Sequence, residues 1–449
     1  MPIFSVQRDI PSRLHPDLWI FQGAVLCCLG MLSILAGRLV AVRVCLLMCA
    51  AALVLIGIAT IYAIGHPAEP SGLVDLAKAS VLYKRQVLFS LVGLAGFAVA
   101  NSVNYRVFGQ VSGWLLGIVV VLLTVLLAGK IAGSHGRELL FAPQRNNVYQ
   151  WIVLGTRGHE IVTLQPSEFC KLAYVLALAW YLRYRSNYRS FGSLIGPFVL
   201  TLLPVALILA EPDLGTVILL LVILLLMLLV AGARLKHLAA ILVAATLLSP
   251  LLWSGMKQSQ RMRVSALLLQ DDRIRQKIED SPLLSRIFVG RRFTTRDWMT
   301  TGGYQLERSK NAIASGGATG HGFRQGPFIK YDFLTYRESD FVFASIAHQW
   351  GFLGSVGILL LYAAIAVCGL EIAAKNADPF GRLLAIGIVI MFTVEVWVHV
   401  GVTVGLMPIT GLTLPLVSHG GSSLLVHMIA VGLLNNVGRC RPFNLARPG

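Results

Sequence analysis

Charged residues are scarce in this chain of 449 residues: 13% of its positions are Asp, Glu, Lys or Arg, whereas 56% are hydrophobic. Soluble domains carry about 25% charged residues, so this composition excludes a water-soluble globular protein. The apolar runs reach about 20 residues, the length of a membrane-spanning helix, and they lack the short alternation of outer-membrane strands. We therefore predict an all-α polytopic membrane protein.

Three further motifs are lacking. The seven cysteines form no CxxC pair and six lie in apolar runs, so we expect neither a disulfide framework nor a zinc site. The first apolar run, from Leu18 to Gly37, has no small-residue cleavage motif and predicts a membrane anchor rather than a signal peptide. The glycine-rich stretch from Ser315 to Gly322 has no following lysine, so it is no phosphate-binding loop and ATP use is not indicated.

Hydropathy predicts eleven membrane spans. They lie at about 18–37, 44–65, 87–103, 111–132, 168–183, 191–210, 214–232, 236–254, 341–373, 383–406 and 423–437. Because only Arg38 to Arg43 separate the first two spans, one long bent element is the alternative, which would leave ten.

The net charge of +17 must lie in loops and membrane interfaces, where anionic lipids or phosphorylated lipid substrates are better partners than nucleic acid. Cytoplasmic loops are enriched in Lys and Arg, and one orientation satisfies every short loop. Segments 66–86, 133–167 and 255–340 then face outward, where we expect any chemistry. The last carries fifteen Lys and Arg against eight Asp and Glu up to Ser339. A functional loop and a solvated basic linker remain alternatives for it.

These features divide the chain into five parts. Residues 1–43 form an N-terminal segment with an additional span, 44–254 the first part of the membrane core, and 255–340 a large basic extracytoplasmic loop. Residues 341–438 complete the membrane core, and 439–449 form a cytoplasmic tail. Within the loop, Asp271 to Asp280 has helical composition.

A first polar cluster, from Gln165 to Lys171, lies where a span begins. Pro166 suits the first turn of a helix, and Glu168 and Lys171 share one helical face. An unpaired ammonium about one turn inside the hydrocarbon region costs several kcal/mol, so Lys171 needs a partner. We predict a local ion pair with Glu168, and substrate binding is the alternative.

Two further clusters interrupt apolar sequence. Asp213 follows one apolar run and is predicted to cap the helix after it. The stretch from Gly405 to Ser423 combines two prolines, repeated glycines and hydroxyls, which is typical of a broken-helix segment whose free amides can hold an anion. Tight helix packing explains its glycines but not His419. Glu395 and His399, four residues apart, are expected to pair with each other.

The fourth cluster, Asp332 to Phe343, lies where the basic loop meets the next span. Asp340 falls at the membrane interface with Arg337 close in sequence. Partial desolvation raises the pKa of a carboxylate and nearby arginines lower it, so the basicity of Asp340 depends on their balance. A carboxylate that merely caps the following helix is the alternative.

Taken in order, these clusters resemble the SEDS family of shape, elongation, division and sporulation proteins, typified by RodA and FtsW. The similarity runs from about Ile56 to Val437. Its main matching pieces are Gln165–Lys171, Pro212–Thr216, Gln260–Arg263, Ser339–Ala344, Gly351–Gly354, Leu406–Gly411 and Gly420–Ser423. The resemblance implies a SEDS-like bundle of 10–11 transmembrane helices with a large extracytoplasmic loop. It also implies a peptidoglycan glycosyltransferase of cell elongation, division or shape determination, which polymerises lipid II on the outer face of the bacterial cytoplasmic membrane.

The resemblance places the family's essential loop carboxylate on Asp340 and a second acidic position on Asp332. We expect Asp340 to act as general base, with Asp332 supporting it; either would hold Mg²⁺ or Mn²⁺ if a divalent cation binds, and no organic cofactor is expected. Diphosphate charge would be stabilised by Arg261, Arg263 and Arg337. The substrate cavity would be lined by Gln165, Glu168, Lys171, Ser418, His419, Ser422 and Ser423. Expected partners are lipid II, polyprenyl-diphosphate-linked glycan, membrane lipids and a class B penicillin-binding protein.

Several positions depart from the family pattern. Tyr336 and Glu338 replace the usual Glu and His, His419 replaces a common Tyr, and His399 replaces an Asn. The RodA, FtsW or sporulation subtype therefore stays open. Two other functions also stay open: a flippase or transporter of lipid-linked precursors, because broken helices and intramembrane charges suit it, and a non-catalytic scaffold for wall synthases.

Overall fold

The computed structural model describes residues 38–68, 76–134, 149–156, 159–184, 191–211, 213–300, 302–331 and 338–439. The chain is a polytopic all-α membrane protein, as predicted. Each of the ten predicted spans between residues 44 and 437 coincides with a helix. The predicted span 18–37 lies outside the described residues.

The membrane core contains ten helices among the described residues. Seven precede the large loop: α1 Arg38–Gly65, α2 Leu76–Ser102, α3 Tyr105–Ser134, α4 Pro166–Leu182, α5 Ile195–Ala210, α6 Leu214–Val230 and α7 Leu235–Gly255. Three follow it: α14 Val342–Lys375, α15 Pro379–Thr403 and α16 Gly421–Arg439. Six are long and apolar enough to span a membrane, namely α1, α2, α3, α14, α15 and α16, and α5 to α7 are shorter apolar helices.

The core is centred on α4 and α15, whose residues are mostly buried. Around them α16 packs closely against α2, because Gly432 lets the two backbones approach: a Cβ on it would lie 2.7 Å from the Phe97 carbonyl oxygen. By contrast, α7 contacts the bundle mainly through α6 and exposes large apolar side chains along its second half. Such faces are what a lipid-exposed helix presents.

A short antiparallel hairpin, β1 Ile152–Thr156 and β2 His159–Leu164, leads into α4. The sequence did not predict it, because hydropathy left residues 133–167 as an unstructured outer segment. Five- and six-residue strands with a bulge after Leu154 are too short for a clear alternation signal.

The large loop folds into a subdomain whose apolar core continues into the start of α14 and into α15. It contains α8 Gln258–Ser265, α9 Asp272–Asp280, α10 Pro282–Val289, α11 Thr295–Thr300, α12 Gly302–Gly316 and α13 Pro327–Lys330. Buried core residues include Leu269, Ile278, Phe293, Trp298 and Leu306. The solvated-linker reading is therefore wrong, and the helix predicted over Asp271 to Asp280 is confirmed as α9. We call α8 to α13 the outer subdomain.

Candidate functional site

Asp340 lies in the turn directly before α14, where the outer subdomain meets the membrane core. Its carboxylate is partly buried and faces Gly411: a Cβ on that glycine would lie 4.0 Å from Asp340 Oδ2. Burial raises the pKa of Asp340 to about 6, and the lowering effects of the Ser339 hydrogen bond and the Arg263 charge are smaller. Desolvation therefore outweighs the two lowering effects, and the resulting pKa is one that a general base near neutral pH would need.

Two hydrogen bonds hold the Asp340 turn in place. Ser418 Oγ donates to the Ser339 carbonyl oxygen at 2.8 Å, and the His419 backbone N–H donates to the Glu338 carbonyl oxygen at 2.8 Å. His419 Nδ1 lies 2.9 Å from Oε1 of the buried Gln86 on α2. Ser418 and His419 thus lie near Asp340, and their contacts hold the backbone that carries it. No contact was predicted for Gln86, because its partner is 333 positions away.

Between α15 and α16 the chain crosses without helical structure from Val404 to Gly420, which we call the crossing segment. The prediction of a broken helix is confirmed. His399 Nδ1 lies 2.8 Å from the Leu412 carbonyl oxygen, and Thr413 Oγ1 lies 2.7 Å from Ser423 Oγ on α16. The expected pairing of Glu395 with His399 is wrong, since the crossing segment supplies the partner of His399.

The turn before α6 also packs on the crossing segment. Asp213 Oδ1 accepts from the Thr216 backbone N–H at 3.1 Å and Oδ2 from the Thr216 hydroxyl at 2.8 Å, so the predicted cap is confirmed. A Cβ on Gly215 would lie 2.9 Å from the Thr410 carbonyl oxygen, which explains why the helix start needs a glycine there. The Asp213 charge also contributes to raising the pKa of Asp340, so the two carboxylates share one region.

The first polar cluster is deeply buried. Lys171 Nζ lies 2.7 Å from Glu168 Oε2, which confirms the predicted ion pair, and also 2.7 Å from Glu395 Oε1 on α15. Glu395 Oε2 in turn lies 2.5 Å from His427 Nε2 on α16. The Lys171 side chain is fully buried, so it does not line an open cavity as we expected. The roles of Glu395 and His427 were missed, although any ionisable residue inside a span is a signal worth pairing.

Gln165 and Ser422 join two helix starts. The Gln165 backbone N–H donates to Ser422 Oγ at 3.0 Å, and Gln165 Nε2 donates to Ser167 Oγ at 3.2 Å. The N-terminal ends of α4 and α16 therefore lie side by side beneath the crossing segment. Helix N-termini carry partial positive charge, which favours an anionic ligand in this region.

The predicted cationic residues have different surroundings in the structure. Arg263 is exposed on α8 and acts electrostatically on Asp340. Arg261, on the same helix, donates from Nη2 to the Ser254 carbonyl oxygen at 2.7 Å, at the end of α7. Asp332 and Arg337 lie outside the described residues, so their predicted roles stay predictions.

The glycine-rich stretch from Ser315 to Gly322 has a structural explanation that needs no phosphate. It packs on α14 where that helix breaks at Gly351, whose φ is 65°. The Gly322 backbone N–H donates to the Gln349 carbonyl oxygen at 2.9 Å, and the Phe352 N–H donates to the Gly317 carbonyl oxygen at 2.9 Å. These bonds replace helical ones that the break removes.

Comparison with known proteins gives one family. The FtsW, RodA and SpoVE cell cycle protein model matches residues 43–441. The chain is 31% identical to the peptidoglycan glycosyltransferase RodA of Treponema pallidum, over 87% of this chain and 96% of that protein. It is 32% identical to the peptidoglycan glycosyltransferase MrdB of Escherichia coli K12, over 79% and 85%.

Two solved structures share the fold. A chain in a peptidoglycan synthase complex, solved to show how polymerisation and crosslinking are coordinated, superposes with a TM-score of 0.66 at 29% identity, covering 88% of this chain and 96% of that one. The crystal structure of the rod shape determining protein RodA of Thermus thermophilus superposes with a TM-score of 0.58 at 26% identity, covering 88% and 95%.

Proposed function

Because this chain belongs to the FtsW, RodA and SpoVE cell cycle protein family, we propose that it is a peptidoglycan glycosyltransferase that polymerises lipid II. One observation carries the assignment of the site. Asp340 is a partly buried carboxylate with a pKa raised to about 6, and it faces the small residue Gly411 beside an exposed arginine. A general base and a cation for the leaving group are what glycosyl transfer from a lipid diphosphate requires.

In the proposed reaction, the 4-hydroxyl oxygen of an acceptor sugar attacks the anomeric carbon of the lipid-diphosphate donor with inversion. The hydroxyl proton passes to the Asp340 carboxylate, and the bond to the diphosphate oxygen breaks with both electrons leaving on the lipid diphosphate. Arg263, whose charge lowers the pKa of Asp340, would stabilise the departing anion, together with Arg261 and Arg337. Asp332 would support the base.

The remaining predicted residues receive positioning roles in this proposal. Ser418 and His419 hold the Asp340 turn through the carbonyl groups of Ser339 and Glu338. Ser422 and Gln165 fix neighbouring helix starts, and Ser423 contacts the crossing segment through Thr413. Glu168 and Lys171 form the buried ion pair beneath them.

The proposal includes a divalent cation, whose presence chelation would test. No group of three or more His, Cys, Asp or Glu side chains that could hold a metal occurs among the described residues. One carboxylate still fits Mg²⁺ or Mn²⁺, because such ions are often held by one or two carboxylates and completed by substrate phosphates. Asp340, with Asp332, would then hold the ion, which would neutralise diphosphate charge. Chelation should lower both polymerisation and diphosphate-lipid binding if this holds.

We propose that the protein lies in the bacterial cytoplasmic membrane with the Asp340 end of the bundle outside, because the basic short loops lie at the opposite end. A class B penicillin-binding protein is the proposed partner. A related chain occurs in a peptidoglycan synthase complex that coordinates polymerisation with crosslinking, which supports this choice.

The deciding experiment incubates purified protein with lipid II, with and without the partner synthase, and resolves the glycan products. Asp340→Asn should reduce polymerisation by about 10²–10⁴-fold, the usual contribution of a general base. Glu307→Gln is the matched control, since Glu307 is an exposed carboxylate on α12 of the outer subdomain. Polymer formation should be insensitive to a β-lactam.

Other outcomes would support the rival functions. Full activity of correctly inserted Asp340→Asn protein would overturn the assignment of the base. Movement of lipid II between leaflets without polymer would support a flippase. Neither polymer nor lipid movement, with stimulation of the partner synthase that does not depend on Asp340, would support a scaffold.

A further inference from the structure

Four ionisable side chains meet inside the bundle, away from Asp340. Glu168 and Lys171 come from α4, Glu395 from α15 and His427 from α16, and the last three are fully buried. We call these residues the buried quartet. Nothing in the proposed reaction uses Glu395 or His427, yet burying them costs free energy unless their charges are balanced.

The hydrogen-bond partners of His427 indicate which of its ring nitrogens carry a hydrogen. Nδ1 lies 2.7 Å from the Ser423 carbonyl oxygen and 3.2 Å from the Ser423 hydroxyl oxygen. Because the carbonyl oxygen of the shorter contact can only accept, Nδ1 carries a hydrogen. Nε2 lies 2.5 Å from Glu395 Oε2. The other oxygen of Glu395 lies 2.7 Å from the Lys171 ammonium, which favours the ionised carboxylate. An ionised carboxylate also only accepts, so Nε2 carries a hydrogen as well.

Charge balance gives the same answer. With neutral His427 the buried quartet would hold one cation and two anions, whereas with an imidazolium it holds two of each. Tyr362, whose hydroxyl donates to the Pro415 carbonyl oxygen, adds no charge to the quartet. A neutral quartet is the arrangement that a membrane interior tolerates.

The buried quartet is tied to the candidate site through two helix starts. His427 contacts the carbonyl group of Ser423, whose hydroxyl contacts Thr413 of the crossing segment at 2.7 Å. Lys171 lies six residues after Gln165, whose backbone N–H donates to Ser422 Oγ. Two residues before Thr413, the crossing segment carries Gly411, which faces Asp340.

We infer that His427 is an imidazolium balanced by Glu395, and that this pair positions the start of α16 and the crossing segment against Asp340. Glu395 and His427 are positioning residues, because neither touches the proposed reacting atoms. Their positioning role rests on the proposed function, whereas the charge state of His427 does not.

The charge state is tested by nitrogen NMR of histidine-labelled protein in lipid nanodiscs at neutral pH. The His427 signals are identified by their loss in His427→Gln. We expect both ring nitrogens to be protonated in the unaltered protein, and one to lose its proton in Glu395→Gln. An unprotonated ring nitrogen on His427 in the unaltered protein would overturn the inference, whatever the activity.

The positioning role is tested by rescue. His427→Leu leaves one uncompensated buried anion, so we expect a lower melting temperature and about tenfold slower polymerisation, mainly in kcat. Adding Glu395→Gln restores neutrality and should recover most of both losses, although it removes a second polar group. The control double variant, His427→Leu with Glu371→Gln, neutralises a carboxylate paired with Arg38 and Lys375 at the opposite end of the bundle and should not rescue.

The outcomes separate the two claims. If Glu395→Gln fails to improve His427→Leu, charge balance does not explain the pair and the inference is wrong. If melting temperature recovers but kcat does not, the pair is structural and has no positioning role. If the unaltered protein makes no glycan, the proposed function fails, while the NMR and melting results still decide the charge state.

Discussion

Asp340 is the residue whose chemistry depends most on its surroundings. A general base works only when ionised, and burial raises the pKa of Asp340 to about 6. Polymerisation should therefore fall as the pH drops through about 6. Arg263 lowers this pKa, so Arg263→Gln should move the acidic limb of the pH profile to higher pH. The measurement is kcat/KM for lipid II polymerisation as a function of pH.

Arg273→Gln is the control for this prediction. Arg273 is exposed on α9 of the same subdomain, so its loss removes the same charge, and its interaction with Asp340 should be screened by solvent. An unchanged acidic limb in Arg263→Gln, or an equal shift in both variants, would contradict the local electrostatic effect of Arg263 on the base.

Gly411 provides a second test at the scale of one residue. Its φ of 76° favours glycine, and a Cβ there meets only Asp340 Oδ2, at 4.0 Å. Gly232, with a φ of 92° and no atom within 4 Å of its Cβ position, has similar backbone strain far from the site. Alanine at either position should cost about 1 kcal/mol of stability. Only Gly411→Ala should also slow polymerisation. Equal activity of the two variants would show that Gly411 is not part of the site.

Individual site residues were predictable where their partners are close in sequence. The partners in the Glu168–Lys171 pair and in the Asp213 cap are three positions apart, so helical geometry was enough to predict both. Glu395 was assigned the wrong partner because His399 has the right spacing, whereas its observed partner His427 is 32 positions away. Long-range pairing depends on how helices pack, and hydropathy carries no information about that.

Among the elements, α14 shows how an interrupted helix positions the site. Gly351 breaks it, and a Cβ on Gly351 would lie 2.4 Å from the Gly320 backbone nitrogen. Gly351→Ala should therefore clash with backbone that cannot move aside and lower the melting temperature strongly. Gly357→Ala is the control, because Gly357 is helical with open space around its Cβ position. Thermal unfolding of both variants in detergent, followed by size-exclusion chromatography, is the measurement.

If Gly351→Ala and Gly357→Ala have the same melting temperature, the break in α14 does not depend on glycine. If the prediction holds, the two variants should differ by several degrees, since backbone strain and overpacking each cost on the order of 1–3 kcal/mol. The first turns of α14 follow Asp340 directly, so polymerisation by Gly351→Ala should fall along with its stability.

Every described helix of the membrane core was predicted, and some bounds agree closely, as for α6 with 214–232 expected and Leu214–Val230 observed. The start of α2 was missed by more, since residue 87 was expected and Leu76 is observed. Long apolar runs leave little ambiguity, because lipid permits few other backbone structures. The short helices of the outer subdomain and the β1–β2 hairpin were mostly missed. Their lengths are close to those of turns, and their stability comes from contacts such as Trp298 and Phe293 in a core assembled from distant segments.

Across the whole molecule, the two ends of the bundle differ in where their basic residues lie. The end opposite Asp340 carries a run of basic residues in short loops and helix ends: Arg38, Arg43, Arg106, Arg183, Arg234, Lys236, Lys375, Arg382 and Arg439. Several pair with acidic groups, as Arg38 and Lys375 do with Glu371 and Arg106 with Asp378. The outer subdomain is also basic, but long loops escape the positive-inside bias, so the short loops decide the orientation.

The orientation can be measured with single cysteines in a background from which the native cysteines have been replaced. Glu307→Cys places a thiol on the exposed face of the outer subdomain, and Lys236→Cys places one at the exposed start of α7 at the opposite end. A membrane-impermeant maleimide added to intact spheroplasts should label Glu307→Cys, and should label Lys236→Cys only after permeabilisation. Equal labelling after permeabilisation shows that both thiols are reachable. The reverse pattern would put Asp340 in the cytoplasm, where a polymerase acting on the outer leaflet cannot work.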